Sequence, residues 1–64
     1  MFNKNKRIFK IEYTLLAAHT DYVVAKNEQK ALKKFYYNHR YGYSPDIISF
    51  TEVKLGKDGK LYAL

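Results

Sequence analysis

Cysteine is absent from the 64 residues. That excludes a disulfide framework and any thiolate metal site. A chain this short buries a reduced share of its unfolded surface, and one core at this size rarely yields more than ~3–5 kcal/mol. Without a staple, the fold depends on large side chains. Tryptophan is absent too, so the work falls to seven tyrosines and four phenylalanines, which bury more area apiece than valine or alanine. Acid is scarce: six Asp and Glu stand against 12 Lys and Arg, for a net charge of +6. Such an imbalance points to an acidic partner: nucleic acid, an anionic protein face or a membrane surface. No long apolar run is present. Lys10 and Glu12 interrupt the N-terminal apolar stretch and leave YTLLAA, short of the ~7 residues of a signal-peptide core and far from the ~20 of a membrane span. The expectation is a soluble, cytoplasmic protein with no membrane partner.

The patterning predicts one small α+β domain of order β-β-α-β-β over residues 7–64, preceded by a flexible basic leader over 1–6 that carries Lys4 and Lys6. From Arg7 the chain alternates. Phe9, Ile11, Tyr13, Leu15 and Ala17 fall on one side, and Lys10, Glu12 and Thr14 on the other, as in a half-buried strand. AAHTD reads as a turn and Tyr22 to Ala25 as the returning strand of a hairpin. Asn27 is a good helix N-cap, with Glu28 in the first turn, where negative charge suits the helix dipole. The helix is predicted to reach Arg40 or Tyr41, with His39 and Arg40 in its last turn. Gly42 would stand at C′, and Pro45 prevents continuation. Asp46 to Leu55 is a third strand whose phase breaks near Ile47–Ile48, which calls for a bulge or for burial on both sides. GKDG, residues 56–59, is a turn, and Lys60 to Leu64 a short last strand. The helix packs on one face of a mostly antiparallel sheet, because each needs an apolar partner.

KKFYYNHRYGY, residues 33–43, holds four of the seven tyrosines. At 100° per residue it divides between two faces. Ala31, Leu32, Phe35 and His39 form an inward stripe with Tyr36 at its edge. Lys26, Lys30, Lys33, Tyr37, Arg40 and Tyr41 point outward, with Lys34 on the flank. Cations one turn apart can follow a phosphate backbone, and tyrosines between them can stack on bases or pack on a protein. A merely solvated face would account for the lysines, which are good helix formers. It accounts less well for Tyr37 and Tyr41, whose helix propensity is mediocre. Together with Lys4, Lys6 and Arg7 of the N-terminal arm, these residues are the candidate binding set.

Other chemistry is thin. His19 and Asp21 offer two metal ligands, with Asp46 or His39 as possible additions, but an aspartate in a turn more often caps its own backbone, and a stable site needs more ligands. His39 reads as a packed histidine near a helix end rather than an acid–base group. Glu12 and Glu52 would form a carboxylate pair if they shared a face, offset by Lys10 and Lys54. Residues 56–59 match neither a P-loop nor a dinucleotide fingerprint. No catalytic constellation, cofactor motif or small-molecule site is visible. Ile8, Leu16 and Ala18, apolar and outward, predict self-association through the first strand.

The run YVVAKNEQKALKKF followed by IISFTEV resembles the strand–cap–helix–strand segment of small DpnD/PcfM-like domains, short proteins of phages and plasmids, over about residues 9–53. The resemblance implies the same sheet-and-helix layout and a mobile-element setting, where small basic proteins bind nucleic acid or bind and block a protein. It supplies no site residues. The sequence thus favours a non-enzymatic basic module for nucleic acid. The alternative is a phage- or plasmid-type accessory protein with a protein partner.

Overall fold

The computed structural model describes residues 6–64. The leader residue Lys4 lies outside the described residues. Four strands and one helix follow the order β1 (Arg7–Leu15), β2 (Ala17–Ala25), α1 (Glu28–Asn38), β3 (Asp46–Leu55) and β4 (Leu61–Ala63). All three strand pairings are antiparallel, and the sheet order is β2-β1-β3-β4. The α+β class and the β-β-α-β-β order read from the sequence both hold.

The alternation of β1 puts Phe9, Ile11 and Tyr13 on the face under the helix, where all three are buried. Val23 and Ala25 of β2 join them from one side, Ala31 and Phe35 of α1 from above. Phe35 is fully buried, with Tyr13 edge-on at 4.9 Å between ring centroids and His39 at 4.7 Å. Phe9 stacks on Phe50 at 5.3 Å, which extends the core to β3. Tyr36 is half exposed and meets Phe35 edge-on, as expected of the stripe's edge.

Three local expectations need correction. AAHTD is not a turn. Its residues pair with β1 from Leu15↔Ala17 to Ile11↔Asp21, and the chain reverses at Leu16, which takes φ 68°. Left-handed backbone costs an L-residue roughly 1–2 kcal/mol, so leucine gives no turn signal, and the alanines that resembled a loop make strand. Leu16 is therefore exposed at a hairpin tip and Ala18 sits on β2, so with Ile8 they form no continuous row on one strand. The helix also stops early, at Asn38. The His39 N–H returns to the carbonyls of Tyr36 and Tyr37, and the Arg40 N–H to Tyr37, tightening the last turn; His39 is the C-cap, and no basic residue lies in that turn. Gly42 does take positive φ, 89°, but in the loop beyond rather than at C′. Lastly, Glu12 and Glu52 lie on opposite faces. Glu12 stands opposite Ser49 and accepts its hydroxyl at 2.6 Å, whereas Glu52 lies beside Phe9 on the helix side.

The phase break in β3 is a bulge. Glu12 pairs with Ser49 but Tyr13 with Ile47, leaving Ile48 without a partner and exposed. The extra residue lets Ile47 and Phe50 both pack against the core. In the β3–β4 turn, a Cβ at Gly56 would stand 2.6 Å from the Tyr62 ring, so a larger residue there would displace that ring.

Candidate functional site

The Asn27 side chain accepts from the Lys30 N–H at 2.9 Å, which fixes where the helix begins and sets the phase of its outward face. Lys30 and Lys34 stand one turn apart along that face, with Lys33 beside them and Lys26 just before the cap. The hairpin adds a fifth cation. Arg7 pairs with Ala25, so the next residues outward, Lys6 and Lys26, lie side by side at the sheet's end. Lys6, Lys26, Lys30 and Lys34 line one hollow of about 240 Å³, walled by Val24 and Ala25. A second hollow of about 380 Å³ lies between Lys33, Lys34, Tyr37 and Asn38. All of these lysines are exposed.

Beyond the helix end, the Arg40 guanidinium lies between two tyrosines, 3.8 Å from the Tyr37 ring centroid and 4.7 Å from that of Tyr41. It also donates to the Tyr37 carbonyl at 2.5 Å. This stack holds the cation and both rings together without a helix under Arg40 and Tyr41. Tyr37, Tyr41 and Tyr43 are all exposed.

Two of the candidate residues do other work. Arg7 belongs to β1 rather than to a free arm, and it forms a two-pronged pair with Glu52, Nε to Oε2 at 2.9 Å and Nη2 to Oε1 at 2.5 Å. Hydrogen bonding to Glu52 raises the Arg7 pKa and holds the Glu52 carboxyl below the usual glutamate value. Its charge is therefore compensated within the fold. Lys34 donates from Nζ to the Val24 carbonyl at 2.6 Å, tying helix to edge strand while staying at the rim of the hollow. Among the described residues the ion pairs are Arg7–Glu52 and His39–Asp21, so no lysine is matched by a carboxylate.

Asn38 and the end of β2 were missed as parts of the site. The β2 contribution was readable from the hairpin, because pairing Arg7 with Ala25 makes neighbours of residues 6 and 26. Asn38 carried no signal, since it reads as ordinary helix surface.

The histidines are structural in their contacts. Asp21 accepts from the Tyr13 hydroxyl at 3.1 Å and meets His39 Nε2 at 3.1 Å. Burial, then the Asp21 hydrogen bond, raises the Tyr13 pKa. His19 stacks on Tyr13. Among the described residues no group of three or more His, Cys, Asp or Glu is placed to hold a metal ion. No helix among them is long and apolar enough to cross a membrane.

No family model matches the chain, and neither a curated protein nor a solved structure matches it. The likeness of residues 9–53 to DpnD/PcfM-like domains therefore stands on those residues alone.

Proposed function

We propose that this chain is a non-enzymatic binding module that holds nucleic acid against the outer face of α1. The observation that carries the reading is the hollow lined by Lys6, Lys26, Lys30 and Lys34, none of them matched by a carboxylate among the described residues. Left to local electrostatics, this arrangement is unfavourable. Like charges at i, i+4 repel by about 0.2–0.5 kcal/mol a pair, and Lys26 and Lys30 stand at the positive end of the helix dipole. Sequences break such rules where a partner repays them. A phosphate backbone does so, because it neutralises the cluster and releases its own counterions. The Tyr37–Arg40–Tyr41 stack adds flat, exposed ring surface one step along the same face, suited to unpaired bases. Both hollows are lined mostly by exposed side chains and suit a strand laid across the surface rather than an enclosed substrate.

Fluorescence anisotropy with a labelled single strand and a duplex of the same sequence tests this. Tyr37→Ala is expected to weaken single strands more than duplexes, since stacking needs an unpaired base. Equal weakening, or none, would remove the stacking role. No binding of wild type to either ligand would remove the nucleic-acid reading and favour a protein partner on the same face.

A further inference from the structure

The sheet has a second face, turned away from α1. The strand registers define it. Ile8 stands opposite Val24 on β2 and opposite Val53 on β3, and Val53 stands opposite Ala63 on β4. An unbroken apolar row, Val24–Ile8–Val53–Ala63, therefore crosses all four strands on the face the helix does not cover. Leu55 and Leu61, paired with each other, extend it, and both are exposed. Val53 is buried, yet it does not belong to the core cluster beneath the helix.

We infer that a second copy of this chain covers that face, in a twofold dimer of sheet against sheet. Three features select this occupant. The first is self-complementarity. A twofold axis parallel to the strands and running between β1 and β3 lays β1 on the partner's β3 and β2 on the partner's β4. Because the two chains share one register, Ile8 then meets Val53 of the partner subunit, and Val24 meets Ala63 of the partner subunit. The apolar row lands on itself, as an isologous interface requires. Beside it, Lys10 faces the partner's Thr51 and Glu12 faces the partner's Ser49, so no like charges meet. The second feature is charge. The charged strand residues that register places on this face are Lys10, Glu12 and Asp46, one cation against two carboxylates. Two copies that each carry +6 repel through most of their surface, but not through this face. The third is size. The two longest dimensions of the molecule, 36 and 20 Å, bound the face at roughly 700 Å² a copy, of the order of the ~800 Å² per partner of a standard stable interface. Sheets packed this way lie about 10 Å apart with strands within about 30°. Both α1 faces stay outward, so the hollow between Lys33, Lys34, Tyr37 and Asn38 remains open on opposite sides of the dimer, while the hollow that Val24 walls borders the interface.

Sedimentation equilibrium across the micromolar range tests the inference on unmodified protein. The expected mass is twice the 7.6 kDa of one chain. A single 7.6 kDa species throughout would overturn it. Val24→Glu and, separately, Leu55→Glu put carboxylates at half-exposed or exposed positions of the face. Each is expected to raise the dimer dissociation constant at least tenfold while the far-ultraviolet circular dichroism of the monomer stays that of a folded chain. Lys30→Glu, on the helix face, should leave the dimer intact. A wild-type dimer that withstands both glutamates but yields to Lys30→Glu would place the interface on the helix and refute the sheet-face assignment.

Discussion

At the scale of single residues, energy is concentrated in a few rings. Phe35 has no exposed surface and touches Tyr13, Tyr36 and His39, so Phe35→Ala removes a ring that nothing can replace. The expected loss is about 3–5 kcal/mol, comparable with the whole stability of a domain this small. Tyr37→Ala, two positions on but outward, should cost under about 1 kcal/mol. Denaturant melts of the two variants separate these values; equal losses would mean that the helix is turned the other way. The Arg7–Glu52 pair makes a prediction about pH. Its hydrogen bonds lower the Glu52 pKa in the folded state from the ordinary 4.5. A lowered folded pKa contributes stability that is complete above the unfolded value and is lost as pH falls through the folded one. Thermal melts between pH 6 and 3 should therefore show wild type losing more stability below about pH 4.5 than Glu52→Gln does. Parallel profiles would mean that the pair contributes nothing. This pair was not legible in the sequence. Arg7 and Glu52 are 45 positions apart, and an arginine after NKNK reads as one more charge of a basic leader until β1 and β3 are placed side by side.

At the scale of elements, what could be read was whatever local chemistry specifies. Phe9, Ile11 and Tyr13 alternate, Asn27 caps, and GKDG turns, each for a reason contained within a few residues. The phase break in β3 was legible too, because Ile48 and Phe50 could not share a face with Ile47 and Val53 in a regular strand, though burial on both sides fitted it as well as a bulge. What was not legible depended on tertiary context overriding preference. Leu16 accepts left-handed backbone because two nine-residue strands pair on either side of it. The helix ends at Asn38 although Gly42 offered the stronger stop signal. The bulge can be tested directly. Deleting Ile48 joins Ile47 to Ser49 with alternation restored, so the chain should keep a cooperative melt. Deleting Thr51 shifts the register between the bulge and the β3–β4 turn by one residue and moves Phe50 or Val53 to the wrong face, so it should abolish cooperative unfolding. Similar melts for both deletions would mean that Ile48 is not the extra residue.

At the scale of the whole molecule, the lysine cluster and the apolar row lie on opposite sides. The helix side gathers unmatched lysines, and the far side of the sheet gathers the row that crosses all four strands. The sequence announced the basic face, because helical spacing groups Lys26, Lys30, Lys33 and Lys34. It did not announce that Lys6 completes the hollow or that Arg7 pairs with Glu52, since both facts come from strand pairing. If the face is a phosphate site, its affinity must carry the signature of counterion release. Binding of a duplex, followed by anisotropy over a series of salt concentrations, should give a log–log slope of about −0.9 for each phosphate contacted, or about −0.7 for a single strand. The double substitution Lys30→Glu and Lys33→Glu should make that slope shallower by about two contacts while the thermal melt stays cooperative, because both side chains point away from Phe35. A slope that is the same in wild type and in the double reversal would contradict the account and leave the lysines as a solvated helix face.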